Sequence, residues 1–391
     1  MSHNQNVIAS PLSNRMTRVP RSAWRPVLFF AASFLACLAL WAQVSVPTPG
    51  ATQFNKVGSV LISDQYNNRV IEVQPATGKI VWQFGLGPQD FSPRSAIGAN
   101  DAERIGTLTL IACTGIPPST VPNCTSPDGC PDNRVILVNP QGRILWQYGT
   151  FGVTGSDPDQ LNTPVQSTYL PNGHILITDQ GNQRVIEVDH VKNIVWQYGT
   201  TGVSGSGPNQ LTDPNSAELL DSGNILIADE NNNRVIEVMR DGTIAATFTA
   251  GGTLGAVAFA SRLPNGDTLI TDAGNNRAVE VDPGDHVVWQ YATNTDFDSN
   301  PNPQPSRAIR LINGNTIISD QFNHRVIVVD PGGTIVSDFG KLDIPGYGPY
   351  NTSRGLFGPY DAKVIGDFTG LTNPYADADG DNDATSSTDA N

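Results

Sequence analysis

The sequence predicts an all-β protein, a six-bladed β-propeller whose blades are four-stranded antiparallel sheets. Three observations support this fold. A motif recurs six times, short apolar strands are separated by turn residues, and a C-terminal segment fits the pattern of a first strand but is not followed by the other three strands of a repeat. The chain has 391 residues, of which 38 are Gly and 29 are Pro. This composition favours many short strands joined by tight turns.

The motif Asp-x-x-Asn-x-Arg, followed by a Val-rich strand, recurs along the chain. Its five complete copies begin at Asp64, Asp179, Asp229, Asp272 and Asp320, and an interrupted copy ends at Asn133-Arg134. Successive arginines lie 43 to 65 residues apart, which is the length of one blade with its loops. Because every blade carries the motif, we expect these side chains to shape and fasten a turn.

Residues 164–199 show how one repeat forms a blade. Four Val/Ile/Leu-rich runs predict four strands, and such continuous apolar runs are expected when neighbouring blades cover both faces of a sheet. Pro171-Asn172-Gly173 and Asp179–Gln183 supply two of the turns.

Large and small residues occupy fixed places in the repeat. Trp82, Trp146, Trp196 and Trp289 share one position in the fourth strand. We expect these rings to fill the space between blades far from the axis. Small residues follow the opening of each first strand, where we expect close approach at the axis, at Ala96, Ser167, Ala217, Ala260, Ala308 and Ala362.

Ring closure follows from the two ends of the repeat region. The N-terminal repeat opens with a second strand at 58–63, whereas residues 359–365 fit the first-strand pattern after the last repeat. We therefore predict that 359–365 pairs with 59–63 and removes an exposed sheet edge. The propeller is predicted to span 58–370, with a Cys/Pro-rich insertion at 116–131.

The segment Asp320-Gln-Phe-Asn-His-Arg-Val326 and the linker Gly199–Pro214 resemble the NHL repeat, and this resemblance extends over nearly all of residues 58–366. The ending Gly78-Lys-Ile-Val-Trp82 is similar instead to repeats of arylsulfotransferase-like and PQQ-binding-like propellers. Both resemblances imply a propeller, but they imply different functions. Quinoproteins that bind PQQ generally have more blades.

Residues 1–43 combine four arginines with an apolar run at 27–42, and residues 44–57 form a linker. This pattern predicts a signal peptide cut after Ala42, or an uncleaved membrane anchor. Phe34-Leu-Ala-Cys37 resembles a lipoprotein box only weakly. The chain is therefore expected to be exported to the periplasm or the extracellular space, with membrane contact only through this segment.

The formal net charge of −14 excludes nucleic acid as an expected partner, because an acidic body repels phosphate backbones. We expect a monomer. Export permits disulfides, and Cys124 and Cys130 flank the insertion, so they are predicted to be bonded. Zinc is the weaker interpretation, since no suitably spaced histidine accompanies the cysteines.

Candidate binding residues lie where the blades differ. If the first strands line the channel, one position forms an uneven ring: Ser95, Gln166, Ser216, Phe259, Arg307 and Asp361. Arg307 and Asp361 are expected to form a salt bridge that closes the ring, with ligand contact as the alternative. Arg94, Asn215, Tyr360 and His324, with the linkers 149–163 and 199–213, complete the predicted polar surface.

No residue is predicted to be catalytic. The arylsulfotransferase resemblance implies a histidine nucleophile, and amidating lyases of the NHL type imply a histidine-rich metal site. Only His324 lies near the mouth, in a position where the other repeats carry Asn or Gln. A calcium-dependent lactonase would have Gln166, Asn215 and Asp361 as its ligands, with only one acid among them.

The leading hypothesis is an exported NHL-type module that binds a protein or glycan without a cofactor. The alternative is a channel enzyme of the arylsulfotransferase-like or lactonase-like type. Residues 371–391 predict an acidic disordered tail. Its Asp377, Asp379, Asp381 and Asp383 are spaced like the start of a calcium loop, but they lack the Glu that would complete it.

Overall fold

The computed structural model describes residues 53–346 and 355–376. The predicted signal or anchor at 1–43 lies outside these residues, as do the calcium candidates Asp377, Asp379, Asp381 and Asp383. In the described part of the chain, no helix is long and apolar enough to cross a bilayer. The described residues form six four-stranded antiparallel sheets, as predicted.

The strands follow in chain order. Blade 1 contains β1 Val60–Asp64, β2 Arg69–Gln74 and β3 Lys79–Phe84. Blade 2 contains β4 Ala99–Ile105, β5 Leu108–Ile116, β6 Cys130–Val138 and β7 Ile144–Tyr148. Blade 3 contains β8 Pro164–Tyr169, β9 Ile175–Asp179, β10 Arg184–Val188 and β11 Ile194–Tyr198.

Blade 4 contains β12 Pro214–Leu219, β13 Ile225–Asp229, β14 Arg234–Val238 and β15 Ile244–Phe248. Blade 5 contains β16 Val257–Arg262, β17 Thr268–Asp272, β18 Arg277–Val281 and β19 Val287–Ala292. Blade 6 contains β20 Arg307–Arg310, β21 Thr316–Asp320, β22 Arg325–Val329 and β23 Ile335–Gly340. The last strand is β24 Pro359–Val364.

Strand β24 completes blade 1 and closes the ring. It pairs antiparallel with β1, with Val364 opposite Val60 and Ala362 opposite Ile62. The first strands of successive blades contact one another around the axis, and β20 contacts β24. The predicted pairing of the two chain ends is therefore confirmed.

The repeated Asp fastens its turn to the start of its own blade. Asp64 accepts hydrogen bonds from Arg69 Nε at 2.7 Å, from Asn67 Nδ2 at 2.9 Å and from the backbone N–H of Phe357 at 2.8 Å. The same three kinds of contact recur at Asp179, Asp229 and Asp272. These contacts agree with the structural role expected for the motif.

Neighbouring blades are joined at the rim by the predicted tryptophans. Trp82 Nε1 donates to the carbonyl of Pro140 in the next blade at 3.0 Å. The other three make the equivalent bond at 3.0 to 3.1 Å, from Trp146 to His190, from Trp196 to Arg240 and from Trp289 to Pro331. Each indole thus buries apolar surface between blades while its N–H is satisfied.

The insertion is held by the predicted disulfide, because the sulfurs of Cys124 and Cys130 are bonded. Cys113 is buried with a free thiol. From the insertion, Ile116 and Val121 pack against Tyr66 in a small apolar cluster.

After β24 the chain continues across the end of the ring where the first strands finish, and we name residues 366–376 the strap. Asp367 accepts the N–H of Ile312 in blade 6 at 2.9 Å, and Thr372 Oγ1 accepts the N–H of Leu219 in blade 4 at 2.9 Å. Thr372 is only 4% exposed. The predicted start of a disordered tail at 371 is therefore wrong, since Thr372 is buried against the blades.

Candidate binding site at the channel mouth

The first strand of blade 2 begins later than predicted. Asp101 pairs with β5 as Gln166 pairs with β9, so Asp101 occupies the channel position predicted for Ser95. Asn100 likewise takes the place predicted for Arg94, which is exposed on the preceding loop. Ser95 lies in the same loop, where its carbonyl accepts a hydrogen bond from Arg134 Nη2 at 3.3 Å.

Two layers of first-strand side chains fill the channel. The upper layer, nearer the start of these strands, consists of Asp361, Asp101, Gln166, Ser216, Phe259 and Arg307. The lower layer lies two residues further along and consists of Lys363, Glu103, Thr168, Glu218, Ser261 and Ile309. Both layers are chemically uneven, unlike the repeated motif.

Arg307 lies across the channel and is 1% exposed. From blade 6, its Nη2 donates to the carbonyl of Val165 in blade 3 at 3.5 Å. Its guanidinium carbon lies 5.0 Å from the ring centroid of Phe259 and 5.3 Å from that of Tyr360. Arg307 Nε is 3.9 Å from Asp361 Oδ1, so the predicted pair exists as a long, buried contact. This burial favours ring closure over direct ligand contact.

Tyr360 forms a second barrier above Arg307. From blade 1, its hydroxyl donates to Asn215 Oδ1 in blade 4 at 3.1 Å. Asn215 Nδ2 donates to Glu230 Oε2 at 2.8 Å, and Gln180 Nε2 donates to the same oxygen at 3.0 Å. We name these four residues the mouth network. Burial raises the pKa of Tyr360 to about 12 and raises the pKa of Glu230.

The sequence interpretation missed part of this mouth. The residue directly after the motif Asp joins the polar contacts there, as Gln180 and Glu230 show. On the other side, Gln321 Nε2 donates to Gln65 Oε1 at 2.9 Å, and Gln65 Nε2 donates to Asn100 Oδ1 at 2.8 Å. The available signal was a residue that varies between Gln, Glu and Ala inside an otherwise constant motif.

The upper layer continues into a buried ionic cluster. Lys363 Nζ donates to Asp361 Oδ2 at 2.7 Å and to Asp101 Oδ1 at 2.5 Å. Burial raises the pKa of Asp361, although Lys363 opposes this shift. Burial lowers the pKa of Lys363, but the two carboxylates outweigh it and the net shift is upward.

The lower layer leaves little free space. Gln166 Nε2 donates to Glu218 Oε1 at 2.7 Å, and Thr372 of the strap donates its hydroxyl to Glu218 Oε2 at 2.6 Å. Burial raises the pKa of Glu103 well above its usual range. A cavity beside Glu103, Glu218 and Thr372 has a volume of about 30 Å³, room for one or two water molecules. The channel is thus closed by Tyr360 and Arg307 at one end and by the strap at the other.

Each residue predicted for a calcium lactonase is bonded to a different protein partner. Gln166 bonds to Glu218, Asn215 bonds to Glu230, and Asp361 bonds to Lys363. Within residues 53–346 and 355–376, no three His, Cys, Asp or Glu side chains form a cluster suited to a metal ion.

His324 lies in a turn beside the mouth and is nearly buried. Its Nδ1 is 3.2 Å from the backbone N–H of Gly358, which can donate only to an unprotonated nitrogen, and its ring packs edge-on against Phe357. Burial lowers the pKa of His324 to about 4. The geometry therefore holds His324 neutral as a fastener for the segment that leads into β24.

Replacing His324 with Asn is expected to remove one source of acid sensitivity. Asn occupies the same left-handed position at Asn68, Asn233 and Asn276. The folded pKa of about 4 lies below the usual 6.5, so the unfolded chain binds the proton first and native stability falls as pH drops through this window. Relative to His324→Asn, the native protein should lose up to about 3 kcal/mol between pH 6.5 and 4.

Urea unfolding of both proteins at several pH values measures this difference. At pH 7 the variant should be the less stable of the two, because it lacks the bond to Gly358 and the ring contact with Phe357, and this difference should narrow as pH falls. A constant difference across the whole pH range would contradict the assigned role of His324.

The two long linkers lie on the same side as the motif turns. Asn182 Nδ2 donates to the carbonyl of Gly155 at 2.8 Å, and Asn232 Nδ2 donates to that of Gly205 at 2.8 Å. The mouth network and the linkers 149–163 and 199–213 therefore belong to one surface, which we name the mouth face.

The geometry defines a six-bladed β-propeller with a filled channel and a polar mouth face. No protein-family model and no curated protein matches the chain. Among solved structures, a protein of unknown function from Bacteroides caccae is similar at 16% identity, covering 72% of this chain and 93% of that one, with a TM-score of 0.50. At this identity the similarity concerns the fold alone.

Two further solved propellers are similar at lower TM-scores. A streptogramin B lyase structure shares 13% identity over 81% of this chain and 87% of that chain, with a TM-score of 0.49. The nidogen/laminin complex shares 13% identity over 77% of this chain and 97% of that chain, with a TM-score of 0.48. We draw no functional argument from either.

Proposed function

We propose that this protein is an exported NHL-type propeller that acts as a binding or scaffold module for a protein or glycan partner. The observation that carries the proposal is the closure of the channel at both ends. Because Arg307 and Tyr360 span the ring and the strap covers the other end, a ligand meets the outer surface of the molecule.

The mouth face is the surface best suited to this role. Its mouth network joins side chains from blades 1, 3 and 4, with Glu230 and Tyr360 half-buried beside solvent. These side chains are held by one another before any ligand arrives, which lowers the entropy cost of binding. They also differ from blade to blade, whereas the Asp, Asn and Arg of the motif do not.

The channel-enzyme alternative has less support. A substrate could reach Asp361 only after Tyr360 and Arg307 had moved aside, and Asp361 is 0% exposed. Among the described histidines, His324 is the one near the mouth, and it already accepts a backbone hydrogen bond. The Cys124–Cys130 disulfide supports export, since such bonds persist in oxidising compartments.

A pair of charge reversals tests the proposal. Glu230→Lys changes the mouth face, and Asp221→Lys changes an exposed residue in the β12–β13 turn beside the strap. Immobilised protein is probed with arrays of glycans and extracellular protein domains. Glu230→Lys should weaken binding by about tenfold or more, the scale of one lost charged hydrogen bond, and Asp221→Lys should leave binding unchanged.

Circular dichroism establishes that both variants fold. Binding that responds only to Asp221→Lys would reject the mouth face as the site. Turnover of an aryl sulfate or a lactone that Glu230→Lys abolishes would replace the binding role with the enzyme alternative.

A further inference from the structure

We infer that the mouth face carries a subsite for the ring of a neutral sugar, in a pocket between the cysteine insertion and the linker 149–163. This inference rests on the proposed binding function and names its ligand class. The pocket has a volume of about 310 Å³, at the lower end of the range for small-ligand sites. Its polar lining consists of Thr114, Asp128, Asn133, Thr154, Asn162 and Thr163.

The pocket exists because blade 2 departs from the repeat. In the other blades a short turn joins the second and third strands, but here β5 and β6 are joined through the insertion. Pro117 and Pro131 line the pocket from this insertion, and the disulfide ties its two arms with Cα atoms 5.9 Å apart. The disulfide therefore restrains this wall, which among the six described blades occurs in blade 2.

The polar side chains are fixed by bonds that cross the pocket floor. Asn133 Nδ2 donates to Thr154 Oγ1 at 2.9 Å, and Asn133 Oδ1 accepts the backbone N–H of Thr163 at 2.9 Å. Thr114 Oγ1 donates to the carbonyl of Pro164 at 2.6 Å. Asn133 is 2% exposed, so this arrangement is set before a ligand binds.

Hydrogen-bonding capacity remains on the open side of the pocket. Thr154 is exposed and accepts from Asn133, so its own O–H is left to donate. Asn162 Oδ1 accepts from Thr163 Oγ1 at 3.2 Å, and within the described residues its amide nitrogen donates no hydrogen bond. These hydroxyl and amide groups match the donors and acceptors of sugar hydroxyls.

The apolar residues of the lining and the negative charge of the protein also fit a neutral sugar ring. Pro117 and Pro131 are exposed and offer aliphatic surface, against which the C–H face of a sugar ring can pack. Asp128 is the one ionisable side chain in the lining, and the whole chain has a net charge of −14. An anionic ligand would be repelled, so the chemistry favours a neutral polyhydroxylated ring.

Saturation-transfer NMR with the purified protein tests the inference. The probes are cellotriose, maltotriose and triacetylchitotriose, with trigalacturonic acid as the charged comparison. At least one neutral probe should bind, and trigalacturonic acid should not. Asn162→Ala should weaken that binding about fivefold, the loss expected for one neutral hydrogen bond. Thr154→Val should weaken it at least as much, because it also removes the acceptor of Asn133 Nδ2.

The neighbouring linker offers a matched control. Thr212 occupies in that linker the position of Asn162, since the N–H of each residue donates to the motif Asp of its blade at 2.8 Å. Thr212→Ala should leave sugar binding unchanged, because no insertion stands beside it.

The outcomes separate this inference from the proposed function. Glu230→Lys could abolish sugar binding while Thr154→Val and Asn162→Ala leave it unchanged. This result would reject the pocket as the sugar site and would still support the mouth face as the binding surface. A protein ligand on the mouth face without any neutral-sugar binding would overturn the sugar inference alone. If no ligand engages the mouth face, the proposed function fails together with the subsite.

Discussion

A chain that ends at Gly358 is expected to lose its cooperative native fold. This truncation removes β24, which pairs with β1 along its full length and contacts the first strands of blades 2 and 6. It would expose the edge of β1 and uncover Val60 and Ile62, which are at most 2% exposed in the intact ring. The expected loss exceeds about 5 kcal/mol, comparable with the total stability of many domains.

A chain that ends at Ala376 is the control for this truncation, because it keeps β24 and the strap. Thermal unfolding followed by near-ultraviolet circular dichroism compares the two chains. The control should unfold in one sharp transition close to that of the full chain. A sharp transition at the same temperature for the chain ending at Gly358 would show that ring closure does not stabilise the fold.

Replacing Lys363 with Met is expected to destabilise the ring by about 3–5 kcal/mol at pH 7, the usual cost of removing one partner from a buried ion pair. The Lys363 side chain is 14% exposed, and it binds two carboxylates that are at most 1% exposed. Methionine preserves most of the aliphatic stem, so the loss reports the charge rather than the packing. Asp361 and Asp101 would remain buried without their ammonium partner.

The pH dependence of this loss identifies its cause. Burial already raises the pKa of Asp361, and removal of Lys363 raises it further. A carboxyl whose folded pKa is raised favours the native state as pH falls, because the folded chain then binds the proton more tightly. The cost of Lys363→Met should therefore shrink as pH falls from 7 towards the ordinary carboxyl range.

A second variant separates charge from shape. Lys363→Met combined with Asp101→Asn and Asp361→Asn should recover part of the lost stability at pH 7, since it removes the unpaired charges. Guanidinium unfolding of the native, single and triple variants provides the comparison. A triple variant less stable than Lys363→Met would contradict the ionic explanation.

The agreement between sequence and structure depends on repetition. The pairing of residues 359–365 with 59–63 could be predicted because other first strands, such as those that open at Pro164 and Pro214, share its pattern. The register of β4 could not, because Pro93 resembles the opening proline of other blades. In the structure, the N–H of Ile97 donates to Asp132 and the Ser95 carbonyl accepts Arg134, so these residues belong to the loop before the strand.

The candidate site shows the same division. Arg307, Asp361, Asn215 and Tyr360 were predictable as first-strand residues that differ between blades. The bond from Tyr360 to Asn215 was not, because it joins residues 145 positions apart across the axis. Lys363 was missed as the partner of Asp361 for a similar reason, since its role depends on the length and direction of one side chain.

Local sequence was sufficient to establish six four-stranded blades, their turns and the strand that closes the ring. Strand periodicity, turn chemistry and the spacing of a motif are short-range properties, and they recur in each repeat. The filled channel, the mouth network, the strap and the pocket beside the insertion arise only when different blades meet. They depend on side-chain reach, burial and charge between residues far apart in the chain, and no local pattern encodes these quantities.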